Sequence, residues 1–298
     1  KKAEGKEILA QGDEIKCFFS EETFASLSGT ENRETTSDYR KAYRSLKDIS
    51  VLYEDEDILL LNKPAGVLTQ KAKPEDLSLN EWLIGHLLAT DAITEADLAT
   101  FHPSVCNRLD RNTSGLVTAG KSLAGLQQLS EILRDRTVKK YYLTIVDGVI
   151  KDRQKIEGYL LKNEMTNQVK ILKEAKGEAK PIATEYIPLA DNGQQTILKV
   201  HLITGRTHQI RAHLASTGHP LLGDYKYGSK KWNDRYKKEW KIEDQVLHAY
   251  QLTMPGMKKE LENLSGKTFY AKVPEVFWKL IKETAWEHGT REALEVLH

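Results

Sequence analysis

From Val138 to Leu202 the sequence is a succession of short apolar runs: Lys140 to Val146, Lys155 to Leu161, Gln168 to Leu172, Ile182 to Leu189 and Thr196 to Leu202. Asn-, Gly- and Lys-rich turns separate them. Runs of this length, rich in Val, Ile, Thr and Tyr, predict β-strands. Many strands with few helices, not in strict alternation, predict an α+β fold built on a mixed, mostly antiparallel central sheet flanked by helices and loops.

The remaining segments fit that frame. Ser50 to Tyr53 and Asp57 to Asn62 read as strands, the second of a buried type. Lys63-Pro64-Ala65-Gly66 is a turn in which Pro fixes φ and Gly permits a positive one. Leu79, Trp82, Leu83, His86 and Leu87 recur at helical spacing, which predicts a helix from Ser78 to Ala89 capped by Ser78. Leu123, Leu126, Leu129, Ile132 and Leu133 predict another, with Ser122 ahead of it. A helix from Thr207 to Thr217 ends at Gly218, strands follow at Val246 to Met254 and Thr268 to Lys272, and a last helix begins at Pro274. Asp224 to Lys241 reads as a polar, aromatic loop.

At 298 residues the chain suffices for one large domain or two modest ones. No apolar run approaches the ~20 residues that span a bilayer. No signal segment opens it. It begins at Lys1 and not at Met, which suggests a trimmed piece. Cys17 and Cys106 match no metal or redox spacing and read as reduced thiols of an intracellular protein. Residues 1–24 read as a hairpin, 25–47 as a linker, and 48–298 as the main domain.

Candidate chemistry centres on Val105 to Val117, where Asp110 stands between Arg108 and Arg111 and is followed by the small turn residues Thr113, Ser114 and Gly115. A carboxylate there is either a nucleophilic or electrostatic group, kept ionised by the flanking arginines, or simply half of an ion pair. In the segment from Thr204 to His213, His208 and His213 are five apart, about 140° round a helix, and cannot share a metal. Thr207, Ile210, Arg211 and Leu214 do share a face. Arg211 therefore needs an anionic partner, for which Asp110 is the candidate. Tyr141 and Tyr142 fall on opposite faces of their strand. From Tyr225 to Lys241 five aromatics alternate with lysines and an arginine, which fits either a single-stranded RNA surface or a solvated loop. The net charge of +1 hides this basic patch and an acidic first forty residues.

Asn107 to Leu116 resembles the catalytic signature of RluA-type pseudouridine synthases. Asn62-Lys63-Pro64-Ala65-Gly66, then Lys140-Tyr141-Tyr142 through Gly148, then Thr204 to His213 through Asp224 are similar to three further motifs of that family, in its order. The family has His where this chain has Asn107. The resemblance implies isomerisation of uridine in RNA, with large-subunit ribosomal RNA as first expected substrate and transfer RNA as the other. It implies no cofactor and no metal. It places Asp110 as the essential carboxylate, Tyr142 in the base pocket and Arg211 as partner of Asp110. Arg108 is expected to help extrude the nucleotide, and Lys63, Arg206, His208, Lys140 and Lys226 to contact RNA. It casts residues 1–24 as the remnant of a small RNA-binding module. The expectation is a monomeric, cytoplasmic enzyme that does not bind membranes. The competing class is a non-catalytic RNA-binding or ribosome-assembly protein that keeps the fold.

Overall fold

The computed structural model describes Gly12 and residues 35–297 apart from Glu164 and Asn167. Apart from Gly12, the hairpin expected at 1–24 therefore lies outside the described residues. In the described part of the expected linker the chain is helical instead: α1 runs Thr36–Ser45. Thr35 and Asp38 close its first turn reciprocally, Thr35 N–H donating to Asp38 at 2.9 Å. Tyr39 and Ala42 turn inward. They pack on α2, Leu79–Ala89, where Gly85 leaves room for the Tyr39 carbonyl.

The strands are β1 Ser50–Glu54, β2 Ile58–Lys63, β3 Ser104–Val105, β4 Ser114–Gly120, β5 Lys139–Asp147, β6 Gln154–Asn163, β7 Gln168–Leu172, β8 Lys180–Asp191, β9 Gln195–Leu202, β10 Leu247–Thr253 and β11 Thr268–Tyr270. They form one sheet in the order β1-β2-β4-β10-β5-β9-β8-β6-β7, with β3 beside β4 and β11 beside β10. Among these pairs β4 and β10 are parallel and the rest antiparallel. Ile58 to Leu61 of β2 are wholly buried, which explains why that strand reads as an unbroken apolar run.

Helices cover both faces. Tyr142 and Val146 of β5 join a cluster covered by α2, α3 (Leu123–Arg134) and α4 (Gln209–Ser216). Leu143 and Ile145 point the other way, into a cluster covered by α5 (Lys230–Trp240), α6 (Glu275–Glu283) and α7 (Thr290–Glu295). α5 replaces the loop expected at Asp224 to Lys241. Trp232, Tyr236 and Trp240 recur every fourth residue and pack on the second cluster. Burying them holds a helix that is otherwise polar.

In the middle of the sheet Tyr142 pairs with Ala249 of β10, and Ala249 with Gly115 of β4. Gly115 has φ +112°, and a Cβ there would lie 2.2 Å from the Ala249 carbonyl oxygen. Gly115→Ala therefore combines backbone strain with overlap, and should cost about 3 kcal/mol or more. Urea unfolding checks this, and a loss under about 1 kcal/mol would contradict the close approach.

Candidate active site

The loop between β3 and β4 is held at almost every residue. Asn107 Oδ1 accepts from the N–H and the hydroxyl of Thr118, at 2.7 and 2.9 Å, and its Nδ2 donates to the Leu116 carbonyl at 3.3 Å. That clamp accounts for Asn107: an amide bridges the loop to the strand that leaves it. Leu109 is buried, its N–H donating to the Thr69 hydroxyl while its carbonyl accepts from it. Thr113 N–H donates to the Asp110 carbonyl at 3.0 Å and closes the turn. Ser114 bonds His248 Nδ1 at 2.8 Å, and His248 Nε2 bonds the Ala271 carbonyl. Burial pushes the His248 pKa down to about 4, so it joins β4 to β10 as a neutral ring.

Lys63 departs from its expected RNA contact. It is wholly buried, and its amine donates to the carbonyls of Pro64, Val67 and Arg111 at 2.9, 2.7 and 2.9 Å. Three carbonyls suit three ammonium protons. Burial pushes its pKa down to about 7, against the opposing pull of Asp110. Its place is beneath the loop, fixing the peptide after Arg111, and not on a phosphate.

The Asp110 carboxylate, partly open to solvent, meets α4. Arg211 Nη1 donates to Asp110 Oδ2 at 3.1 Å. The other side of the guanidinium is locked: Nε donates to Asp224 Oδ2 at 2.7 Å and Nη2 to Asp224 Oδ1 at 3.0 Å. Burial opposes the Arg211 charge, but the hydrogen bonds and charges of Asp224 and Asp110 outweigh it and raise its pKa. Asp224 Oδ1 also accepts from the N–H groups of Lys226 and Tyr227. Asp224 is the member that sequence reasoning missed. It lies thirteen residues past Arg211, in a turn with no periodic signal.

The flanking arginines do not supply the charge partner. Arg108 and Arg111 are exposed, and among the described residues neither forms an ion pair with Asp110. His208 also departs from its expected place on the RNA surface. The helix begins at Gln209, and His208 before it takes a left-handed conformation, φ 52°. That turn sends the ring inward: Nδ1 bonds the Tyr227 hydroxyl at 2.9 Å, and Nε2 lies 3.8 Å from Asp110 Oδ2. Burial lowers its pKa, with Asp110 pulling the other way and Arg211 reinforcing the fall. Tyr227, also missed, ties the network to β7 by accepting from Val169 N–H, and lies 5.4 Å from the Arg211 guanidinium.

Tyr142 is buried on the sheet face covered by α2, α3 and α4. Burial and then the Asp110 charge raise the pKa of its hydroxyl, so it remains a neutral phenol at pH 7. Tyr141 faces away and stacks on His201 at 4.8 Å. Lys140 shares the Tyr142 face and is half-buried near Gly205, its pKa lowered by burial and by Arg136. Arg206 is exposed, and Lys226 feels burial and then the charge of Arg211, both lowering its pKa. Two cavities of about 310 and 290 Å³ open elsewhere, around Tyr186 and His219 and around Asp191 and His288. Neither is lined by Asp110, Tyr142 or Arg211.

The arrangement offers a carboxylate fixed by a guanidinium, with a buried phenol close enough to feel its charge and the exposed cations Arg108, Arg111 and Arg206 on the segments around it. The family described as RNA pseudouridylate synthase matches residues 57–216. An uncharacterised RNA pseudouridine synthase of Mycoplasma genitalium is 29% identical over 259 residues, covering 84% of this chain and 78% of that protein. A homologous protein of Mycoplasma pneumoniae is 31% identical, over 79% of this chain and 73% of its own. Ribosomal large subunit pseudouridine synthase C of Pasteurella multocida is 34% identical over 75% of this chain, which spans 64% of that relative. In structure, human RNA pseudouridylate synthase domain-containing protein 4 matches the fold with a TM-score of 0.63 at 20% identity, covering 88% of this chain and 98% of its own.

Proposed function

The chain belongs to the RNA pseudouridylate synthase family, in its RluA-type branch, and on that premise we propose that it converts uridines in RNA to pseudouridine at Asp110. The observation that supports this reading is the Asp224–Arg211–Asp110 relay, which holds one carboxylate at the mouth of the site opposite a buried tyrosine. Relatives named for the ribosomal large subunit make large-subunit ribosomal RNA the first substrate to test, with transfer RNA second. In this reading residues 48–298 act as the catalytic domain of a cytoplasmic monomer and need no cofactor. Among the described residues no helix is long and apolar enough to cross a membrane.

The reaction breaks the bond from ribose C1′ to N1 of uracil, turns the base, and joins C1′ to C5. The C5 proton leaves and N1 gains one, so the atoms balance as an isomerisation. Asp110 is the essential carboxylate, acting on the sugar or the base. Arg211 orients it, and Asp224 orients Arg211. Arg108, exposed beside Asp110, fills the space left when the nucleotide is extruded, since unstacking costs a few kcal/mol. Arg206, Lys140 and Lys226 lie where backbone phosphates approach the mouth.

Tyr142 packs against the base and directs its hydroxyl at it. Among the described residues no group hydrogen-bonds that hydroxyl, which leaves it for the substrate. Tyr142→Phe keeps the ring and should lower kcat by about 10²-fold or more while RNA binding holds, the scale of a lost proton-transfer group. Near wild-type turnover would exclude the hydroxyl from the chemistry. The function itself is tested by release of tritium from RNA labelled at uridine C5, followed by mapping of pseudouridine in total RNA from cells with and without the gene. Release and a gene-dependent site are expected; RNA binding without release would favour a non-catalytic assembly factor.

A further inference from the structure

We propose that the outer face of α5 is a docking surface for the phosphates of RNA flanking the target nucleotide, an inference that rests on the RNA-modifying reading of the site. The inner face of α5 is spoken for. Asn233 and Tyr236 are buried, and Trp232 and Trp240 are half-buried against the second cluster. The aromatics are thus committed to the fold and not free to stack bases. At 100° per residue the opposite side carries Lys230, Lys231, Asp234 and Lys238, with Lys241 just past the last turn, and all five are exposed.

The one carboxylate of this strip, Asp234, accepts from the Tyr225 hydroxyl at 3.0 Å. The flanking cations Arg235 and Lys237 are paired with Glu239 and Glu243. Among the described residues Lys230, Lys231, Lys238 and Lys241 form no ion pair. Helix energetics explain only part of this pattern. Lys238 and Lys241 sit at the C-terminal end, where cations favour the helix. Lys230 and Lys231 sit in the first turn, which holds no acidic residue, and there a cation opposes the helix dipole. The fold gains nothing from them, whereas a polyanion does.

Position completes the argument. Asn233 Oδ1 accepts from the N–H of Gly223, the neighbour of Asp224. Asn112, two residues past Asp110, donates to Asp244 at 2.6 Å in the turn that follows α5. The helix is therefore tied near its start to the turn that carries Asp224, and the segment after it is tied to the Asp110 loop. The eleven residues of α5 span about 16 Å, room for several successive phosphates. The strip itself offers charges and no ring or amide, so its contribution to RNA binding is through phosphates.

The test is a variant carrying Lys230→Gln, Lys231→Gln, Lys238→Gln and Lys241→Gln, compared with the four corresponding Lys→Arg changes. Both sets keep good helix formers. Binding of a large-subunit ribosomal RNA transcript is measured from low to high salt. For the Gln variant the slope of log K against log salt should become shallower by about 3, at ~0.7 per lost phosphate contact, and affinity near physiological salt should fall about tenfold or more. The Arg variant should keep the wild-type slope. A wild-type slope and affinity in the Gln variant would overturn the docking surface and leave that face to solvent or to a protein partner. The slope is read with or without turnover, so a wild-type protein that binds but releases no tritium counts against the site reading alone.

Discussion

Arg211→Met destabilises the fold by about 3–5 kcal/mol and removes turnover, because it orphans a carboxylate that has nowhere to go. The side chain of Asp224 is wholly buried, and the Nε and Nη2 groups of Arg211 are its charge partners. Two backbone N–H groups, from Lys226 and Tyr227, remain as acceptors' partners but carry no full charge. Removing the guanidinium also frees Asp110 from its 3.1 Å contact. The double change Arg211→Met with Asp224→Leu separates the two effects. With both buried charges gone, most of the stability should return, since apolar replacements of whole buried pairs are often neutral or better. Activity should not return, because Asp110 still lacks its orienting partner. Chemical denaturation and single-turnover kinetics check the pair. Equal stability in Arg211→Met and wild type would remove Asp224 from the account, and recovery of turnover in the double variant would remove Arg211.

What the sequence displayed of this fold follows from where the stabilising contacts come from. β5 to β9 are legible because alternation and apolar runs are local signals, and α2 and α3 because Ser78 and Ser122 cap them, each accepting from a backbone N–H of its first turn. α1 and α5 look like linker and loop in sequence because both are polar segments held by distant partners: Tyr39 against Gly85, and Tyr236 against a cluster built from β5, β9 and α6. The i, i+4, i+8 spacing of Trp232, Tyr236 and Trp240 was visible, but rings among lysines read equally as a stacking surface.

The site divides in the same way. Arg211 meets Asp110, and Tyr142 lies near enough to feel the Asp110 charge, three residues that the sequence motifs also single out. Lys63 and His208 turn inward for reasons no pattern records. Lys63 ends a strand above three converging carbonyls, and His208 takes a left-handed φ that swings its ring under Asp110. The arginines adjacent in sequence point to solvent, while the arginine that pairs is 101 residues away. Asp224 is visible only once the loop that carries it folds back on α4.

Asp110→Asn carries the largest functional effect. The amide is isosteric and can still accept from Arg211, so the loop clamped by Asn107, Thr69 and Lys63 should keep its shape, and stability should change by about 1 kcal/mol or less. What is lost is the charge, and with it the carboxylate that in the proposed reaction bonds to sugar or base, or takes a proton. Turnover should fall by about 10⁴-fold or more, the scale seen when a central catalytic group is removed. RNA affinity should stay within about threefold, because exposed cations such as Arg108 and Arg206 are untouched.

The most direct test is therefore tritium release from C5-labelled uridine RNA by wild type and by Asp110→Asn side by side, with filter binding of the same RNA. The account predicts release by the wild type, none above background by the variant, and equal binding by both; comparable release from the two proteins would contradict it.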